Sequence, residues 1–591
     1  MWDSDHAPQG PNHYVARLVI EELVRGGVEI FCIAPGSRST PLVVAAAEHP
    51  QAQTFVHFDE RGAGFFALGV GRATGKPAAL ICTSGTAVAN YYPAVIEASV
   101  GMTPLIVLSA DRPFELLDTG ANQTIEQNKI FSDYLRWQYS IPAQAGTIQA
   151  GAILTGVSQA LFRASNSPAG AVQINLHFRK PLLNATEGME AFQVADDISK
   201  WQATSAPRTR YSVAEAHLEE TGVQAVSQLV EGSKQGLIVA GQLPSSRDNA
   251  IIRDLAAHLE MPIIADCISG LRCSGVRRQH NHLIVHSGLY LDLEEFGDYT
   301  PDLILHFGGT PVSAPVNDYL NRSQAEYLLI NDHPFRQDPQ RQVTQRFCMQ
   351  PHAFCKPLLE RTFNHGVSKL LPHLLRCDSV VRDVLGGAPT REDISAKQVV
   401  CEVAEGLRAG EGLFLANSLA VREADLYFPA TEQKLLIGCN RGVSGIDGTI
   451  ASAVGFARGL KQRTGVILGD IAFLHDLNSL AMLQHLSVPM LIVVINNGGC
   501  GIFSMLPVKD QTEYFDEFFK MPHGLSFEKF CQAFGVQYRC PNTATVLRDV
   551  ISEAVSGDQH CVIEIITGDE QELEVLEQVK AKIKHGLHSF V

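Results

Sequence analysis

Residues 464–507 read TGVILGDIAFLHDLNSLAMLQHLSVPMLIVVINNGGCGIFSMLP, and this stretch decides the fold. Two apolar runs, TGVILGD and MLIVVINN, each end on a turn of small polar residues, the first at Gly469-Asp470 and the second at Asn496-Asn497-Gly498-Gly499. The residues between Asp470 and Asn497 suffice for one helix and one return strand. That is the strand–helix–strand unit of a parallel sheet. It brings a carboxylate and an amide oxygen side by side at one sheet edge. Sheets of this kind bind ligands beyond the carboxyl ends of their strands.

The same rhythm runs through the rest of the chain. Strand runs EIFCIAP, TFVHF, AALICTS and PLIVLSA lie within about 10–190. GLIVAG, PIIAD, DLILHFG and YLLIND lie within about 205–365, and GLFLAN, KLLIG, TGVILGD, MLIVVINN and HCVIEII within 395–591. The expectation is an α/β chain of three doubly wound parallel-sheet domains, at 1–198, 205–365 and 395–591. The stretches 199–212 and 385–396 have Pro, Ser and polar residues without apolar periodicity, and read as linkers. The first and third segments share only their strand–loop–helix rhythm, with no short repeat.

With 591 residues the chain is long enough for several full cores. Its 63 acidic against 47 basic residues give a net charge of −16. That argues against nucleic acid or an anionic membrane surface as the main partner, since both call for basic patches. The 13 cysteines include no Cys-x-x-Cys pair, and many sit in apolar strand runs, as Cys32 and Cys82 do. They read as buried free thiols of a reducing compartment. The start, MWDSDHAPQG, lacks a basic segment followed by an apolar one, and no run of 18 apolar residues occurs, so no membrane span is expected. The cytoplasm is the expected location.

Chemistry is sought in the loops. Mg²⁺ takes about six oxygens in an octahedron, few of them from protein. Asp470, Asn497 and a backbone carbonyl near Gly499 could supply three, and a diphosphate and water the remainder. A helix beginning near Phe473 would direct free amides at that diphosphate, while Gly469, Gly498 and Gly499 would allow close backbone approach. Taken singly, these loops are ordinary turns, and the reading rests on their spacing behind two strands. Glu60 stands between a strand and a Gly/Ala-rich helix, where an acid is also favoured by the helix dipole. Arg38, Arg61, Arg112, Arg422 and Arg441 sit in loop-like settings of an acidic chain, where arginine suits bidentate carboxylate binding.

These loops carry a resemblance. The pairing of Gly-Asp with Asn-Asn resembles the signature of thiamine-diphosphate enzymes. IAPGSRSTPL (33–42), HFDERGAGFFALG (57–69), TSGTAVAN (83–90), GANQTI (120–125), NSLAVR (417–422), NRGVSGIDG (440–448) and NNGGCGIFSMLP (496–507) closely resemble the 2-succinyl-5-enolpyruvyl-6-hydroxy-3-cyclohexene-1-carboxylate (SEPHCHC) synthase, or MenD, family. The resemblance is clear in the first and third segments and weaker in the middle one.

It implies thiamine diphosphate with Mg²⁺ (or Mn²⁺), decarboxylation of 2-oxoglutarate, and 1,4-addition of the succinyl carbanion to isochorismate, on the way to menaquinone or phylloquinone. Glu60 would be the catalytic acid at N1′ of the aminopyrimidine. Gly469, Asp470, Asn497, Ile446, Ile502 and Phe503 would bind the cofactor, Ile446 as the apolar wedge that bends it. Asp470, Asn497 and Gly499 would hold the metal. Ser37, Arg38, Arg112, Asn122 and Gln123 would contact substrate from the first segment, and Ser418, Arg422, Arg441 and Leu506 from the third. A homodimer or homotetramer with active sites between chains is also implied.

One departure stands out. Where the family commonly has basic residues in a middle-segment loop, this chain has Ala314 and Pro315 in HFGGTPVSAPVNDYL, which leaves Arg322 or another group to substitute. The competing readings are another thiamine-diphosphate 2-oxo acid decarboxylase or carboligase, such as an acetolactate-synthase-like enzyme, and a non-catalytic regulatory homologue. The intact glutamate and metal loop speak against the second.

Overall fold

The apolar runs that end on glycine or a small polar residue form strands, and the strands assemble into three six-stranded sheets. The computed structural model describes residues 8–144, 147–183, 193–243, 246–273, 282–387 and 394–588. Residues 388–393 of the second expected linker, and the first seven of the N-terminal stretch, lie outside the described residues.

The first sheet comprises β1 (Ile30–Ile33), β2 (Gln53–Val56), β3 (Ala78–Cys82), β4 (Leu105–Asp111), β5 (Leu135–Ile141) and β7 (Ala171–His177). Their order is β2-β1-β3-β4-β7-β5. The short strands β6 (Thr147–Ile148) and β8 (Gln193–Val194) pair separately. The second sheet comprises β9 (Gly236–Ala240), β10 (Ile263–Ala265), β11 (Leu283–Ile284), β12 (Leu303–Phe307), β13 (Glu326–Asn331) and β14 (Gln345–Cys348), in the order β11-β10-β9-β12-β13-β14. The third comprises β15 (Gly412–Leu415), β16 (Leu436–Cys439), β17 (Thr464–Gly469), β18 (Met490–Asn496), β19 (Gln537–Arg539) and β20 (Cys561–Ile566), in the order β16-β15-β17-β18-β20-β19. All these strand pairs are parallel. The first and third sheets therefore share one strand order, a likeness deeper than the rhythm read from sequence.

The strand order reverses between β1 and β3, between β9 and β12, and between β15 and β17. A reversal opens a crevice at the carboxyl ends, because the two following connections leave to opposite faces. In the second sheet the backbone fills that place. Gly309 N donates to Gln242 O at 2.9 Å, and a Cβ on Gly241 would lie 1.7 Å from Gly309 O. The first and third sheets have candidate loops at their reversals.

By Cα proximity the chain divides into two compact units, Met1–Val213 with Asn440–Lys461 and Leu474–Val488, and Ala214–Cys439 with Gln462–Phe473 and Pro489–Val591. In the first unit, helix Glu60–Thr74 packs on helix Thr449–Leu460 through glycine. A Cβ on Gly69 would lie 2.0 Å from Ser452 O, and one on Gly455 1.9 Å from Phe66 O. The two backbones touch, so no larger residue fits without parting them. Asp476, fully buried, caps the second helix by accepting the Ala451 N–H at 2.9 Å. Burial raises its pKa to about 6 against those hydrogen bonds.

The stretch 199–212, expected as a linker, is strapped to helix Pro11–Arg25. Trp201 is buried and its indole donates to the buried Glu22 at 2.7 Å, which also accepts the Arg208 N–H. Arg25 lies 3.8 Å over the indole ring and donates to Trp201 O. All 13 cysteines are free and most are buried. Among the described residues, no helix is long and apolar enough to cross a membrane.

The glycine crossing gives a stability prediction. Gly455→Ala should destabilise by about 1–3 kcal/mol, as overpacking does. Gly232, in helix Glu220–Gly232, has nothing within 4 Å of its would-be Cβ, and Gly232→Ala should be neutral or stabilising by up to about 1 kcal/mol. Thermal unfolding midpoints of the two variants check this, and equal midpoints would refute the close crossing.

Candidate functional site

In the third sheet, β17 runs out at Gly469 and a helix begins at once with Asp470–His475. The helix thus starts three residues before the expected Phe473. The cause is local: Asp470 Oδ1 accepts the N–H of Ile471 at 2.7 Å and turns the chain as the strand ends. Its other oxygen accepts the Gly499 N–H at 2.8 Å and faces His523 Nε2 at 3.1 Å. His523 Nδ1 accepts the Leu525 N–H, which assigns the ring proton to Nε2 as donor. Asp470 is 2% exposed, and burial raises its pKa against these hydrogen bonds. His523 was missed in sequence because it lies in a distant loop, and no spacing marks it.

The two asparagines divide their work. Asn496 is committed to structure, donating to Glu564 at 2.6 Å and to Leu525 O at 3.0 Å. Asn497 is half-buried, and among the described residues its side-chain amide has no hydrogen-bond partner. Gly469 and Gly498 leave open space where a Cβ would stand. The Gly499 carbonyl accepts the Gly501 N–H at 2.9 Å. A buried carboxylate, an available amide oxygen and an open glycine face form an oxygen-donor set suited to a hard cation and a diphosphate. Ile502 and Phe503 follow in the 3₁₀ turn Gly501–Met505, both half-buried, while Leu506 is exposed.

Across the same reversal, β15 leads to Ser418, whose φ is 67°. Helix Leu419–Tyr427 begins there, and Arg422 donates to Ser418 O at 2.6 Å. The helix is anchored by Asp425, which pairs with the buried Arg272 at 2.7 Å. Asp266, Cys267 and Asp425 converge nearby, but Asp425 already holds Arg272 and the Cys267 N–H. This cluster is an internal ion-pair network. Burial, with the charge of Asp425, raises Asp266 to about 6.

In the first unit, Glu60 opens helix Glu60–Thr74, capped by Asp59 through the Arg61 N–H. Glu60 is half-buried, and among the described residues nothing hydrogen-bonds its carboxylate. The Arg61 guanidinium donates to His475 O at 2.8 Å, and Asn478 donates to Asp59 at 2.6 Å. These bonds hold the helix start in place.

The reversal between β1 and β3 gathers a second group. Arg38 is buried and donates to Phe178 O at 2.7 Å. Its pKa is lowered, first by burial and then by the charge of Arg112. Arg112 donates to the Ser84 hydroxyl. Gln123, at φ 56°, donates to Ser84 O at 2.8 Å, while Gln127 accepts the Gly85 N–H. Two guanidiniums, a hydroxyl and an amide thus share one sheet edge. Ser37 and Asn122 are exposed beside them in sequence. Ser84 and Gln127 were not singled out, although Ser84 lies two residues beyond β3 at the reversal, which was the available signal. Arg441 and Ile446 are half-buried in the loop 441–448.

In the middle region, Ser313 caps helix Ala314–Asn321, and Ala314 and Pro315 form its first turn. Arg322, considered as a replacement cation, donates to Leu291 O at 2.7 Å and lies over the Tyr319 ring. It serves the local fold.

Comparison with known proteins accounts for this arrangement. Residues 13–130 match the family described as thiamine pyrophosphate enzyme, N-terminal TPP binding domain. Residues 193–415 match the middle domain of thiamine pyrophosphate enzymes, and 422–565 the C-terminal TPP binding domain. The chain is 38% identical over 575 residues to a 2-succinyl-5-enolpyruvyl-6-hydroxy-3-cyclohexene-1-carboxylate synthase of Chlorobaculum parvum, covering 96% of each. It is 39% identical over 567 residues to one of Rubrobacter xylanophilus, covering 95% of this chain and 96% of that one. To one of Chlorobium limicola it is 39% identical over 578 residues, covering 96% and 97%. With an oxygen-lined loop behind β17, an acid heading helix Glu60–Thr74 and likeness along nearly its whole length, the chain belongs to the 2-succinyl-5-enolpyruvyl-6-hydroxy-3-cyclohexene-1-carboxylate synthases, a family of thiamine-pyrophosphate enzymes.

Proposed function

We propose that this chain decarboxylates 2-oxoglutarate and adds the remaining succinyl unit to isochorismate, forming SEPHCHC in menaquinone or phylloquinone biosynthesis. The carrying observation is the buried Asp470 carboxylate at the β15/β17 reversal, beside an available Asn497 amide and an open glycine face. When bound, thiamine diphosphate supplies the electron sink that makes loss of CO₂ from a 2-oxo acid feasible. Asp470, Asn497 and the Gly499 carbonyl would hold Mg²⁺ or Mn²⁺, with Gly469 giving room for the diphosphate. Glu60, whose carboxylate has no hydrogen bond among the described residues, would hold a proton at the pyrimidine N1′. Ile446 would support the bent cofactor, and Ile502, Phe503 and Leu506 would exclude water. Both substrates are dicarboxylates, which gives Ser37, Arg38, Arg112, Asn122, Gln123, Ser418, Arg422 and Arg441 an anion-binding purpose. The working form is a homodimer or homotetramer with active sites between chains, in the cytoplasm.

Asp470→Ala should abolish activity and weaken metal-dependent thiamine diphosphate binding, because the cation loses its one charged protein ligand. Calorimetric titration with cofactor and Mg²⁺ checks this, and wild-type affinity would overturn the metal assignment.

Glu60→Gln keeps the shape but not the acid. We expect kcat to fall by about 10²-fold or more with the fold intact. Exchange of the cofactor's C2 proton, followed by NMR, should slow in parallel. An unchanged exchange rate would place the activating group elsewhere.

The arginines should differ in kind. Arg422→Ala should raise KM for 2-oxoglutarate, losing a charge-assisted hydrogen bond at a cost of about 1.5–3 kcal/mol. Arg38→Ala should leave decarboxylation nearly intact and impair addition to isochorismate. Stopped-flow measurement without isochorismate isolates the first step. Equal damage there would indicate one shared anion pocket.

A further inference from the structure

The loop 441–448 carries Arg441 and Ile446, and a buried carboxylate from another element grips its backbone. Glu97, in helix Tyr92–Val100, is 1% exposed. Its Oε1 accepts the Gly442 N–H at 2.8 Å and its Oε2 the Val443 N–H at 2.7 Å. The Arg72 guanidinium donates to the same Oε1. Arg72 lies in the last turn of helix Glu60–Thr74. The loop is pressed against its holder: a Cβ on Gly442 would lie 2.7 Å from Gly101 N and 2.9 Å from Glu97 O.

Arg72 alone would suffice to neutralise Glu97 and to join the two helices. The two loop amides add something else. A carboxylate has acceptor capacity for all three donors, whereas a glutamine has one oxygen and would set an NH₂ against a backbone N–H. The ion pair is buried and its oxygens are spent on the loop, the condition under which a buried charge fixes geometry. We infer that Glu97 is a positioning residue, which ties the 441–448 loop, and with it Arg441 and Ile446, to the helix that begins at Glu60. This inference rests on the proposed function, in which those residues meet substrate and cofactor.

The test compares the holoenzyme with Glu97→Gln, the double variant Arg72→Gln/Glu97→Gln, which leaves no lone buried cation, and Arg441→Ala. Hydrogen exchange read by mass spectrometry on peptides spanning 440–448 reports the loop. The Gly442 and Val443 amides should exchange about tenfold or more faster in both Glu97 variants, while helix Thr449–Leu460 keeps its protection. KM for 2-oxoglutarate should rise about tenfold, as expected for loss of one charge-assisted contact, and in the same direction as in Arg441→Ala.

Unchanged loop exchange would overturn the inference. So would faster exchange with wild-type KM and kcat while Arg441→Ala raises KM. Loss of folding in both Glu97 variants would make Glu97 a core stabiliser and likewise overturn it. If Arg441→Ala leaves KM unchanged, the reading of Arg441 fails by itself, and the exchange data still decide whether Glu97 holds the loop.

Discussion

Two helices in the first unit meet backbone to backbone, and the placing of Glu60 and Ile446 depends on that contact. Gly69 and Gly455 allow helices Glu60–Thr74 and Thr449–Leu460 to approach until main-chain atoms fill the places of side chains. A candidate residue stands at or just before the start of each helix. Glu60 heads the first, and Ile446 lies in the loop leading into the second. Because rigid helices transmit position along their length, fixing the crossing fixes both starts. A side chain at either glycine would push the two helices apart, and a misplacement of about 1 Å at a reacting group can cost about 10²-fold in rate.

Around this crossing, buried charges are satisfied by backbone amides more than by opposite charges. Asp476 caps helix Thr449–Leu460, and Glu97 takes two loop amides. An amide cannot swing away as a lysine can, so such bonds set geometry firmly. Glu60 and Asn497 differ: among the described residues their side chains have no hydrogen-bond partner. Structural carboxylates are saturated, and groups available for chemistry are left open. That contrast separates Asn497 from Asn496, two adjacent residues identical in type.

The fold was legible where burial writes itself as an apolar run. All 13 strands named from sequence are present, among them the central ones of each sheet. The strands not named are β5, β7, β11, β14 and β19, together with the short pair β6 and β8. β5, β14 and β19 are half-exposed edge strands, and β11 has two residues. β7 is buried but carries Gln173 and Asn175, which bond Ser109, Gln127 and Asp111 inside the core. Polar residues satisfied in this way interrupt the apolar run from which a strand is read. The tether of 199–212 escaped notice for the same reason, since Trp201 and Glu22 find each other across the chain and no local pattern records it.

The site was legible by position and illegible by partner. Candidate residues stand after strands at the reversals of the first and third sheets, where α/β topology directs ligands. What each arginine does depends on acceptors far away in sequence. Arg61 and Arg422 are equally loop-like as strings, yet Arg61 gives its guanidinium to His475 and pins a helix start, while Arg422 lies exposed on the first turn after Ser418. Arg272, absent from the sequence reading, is the most deeply buried of these cations and anchors the helix bearing Arg422 through Asp425. A buried guanidinium needs acceptors on several elements, and those acceptors are mostly backbone carbonyls, which every residue has. Composition and spacing are blind to them, so the supports of a site emerge only once the chain is folded, even when the groups they support can be read from the sequence.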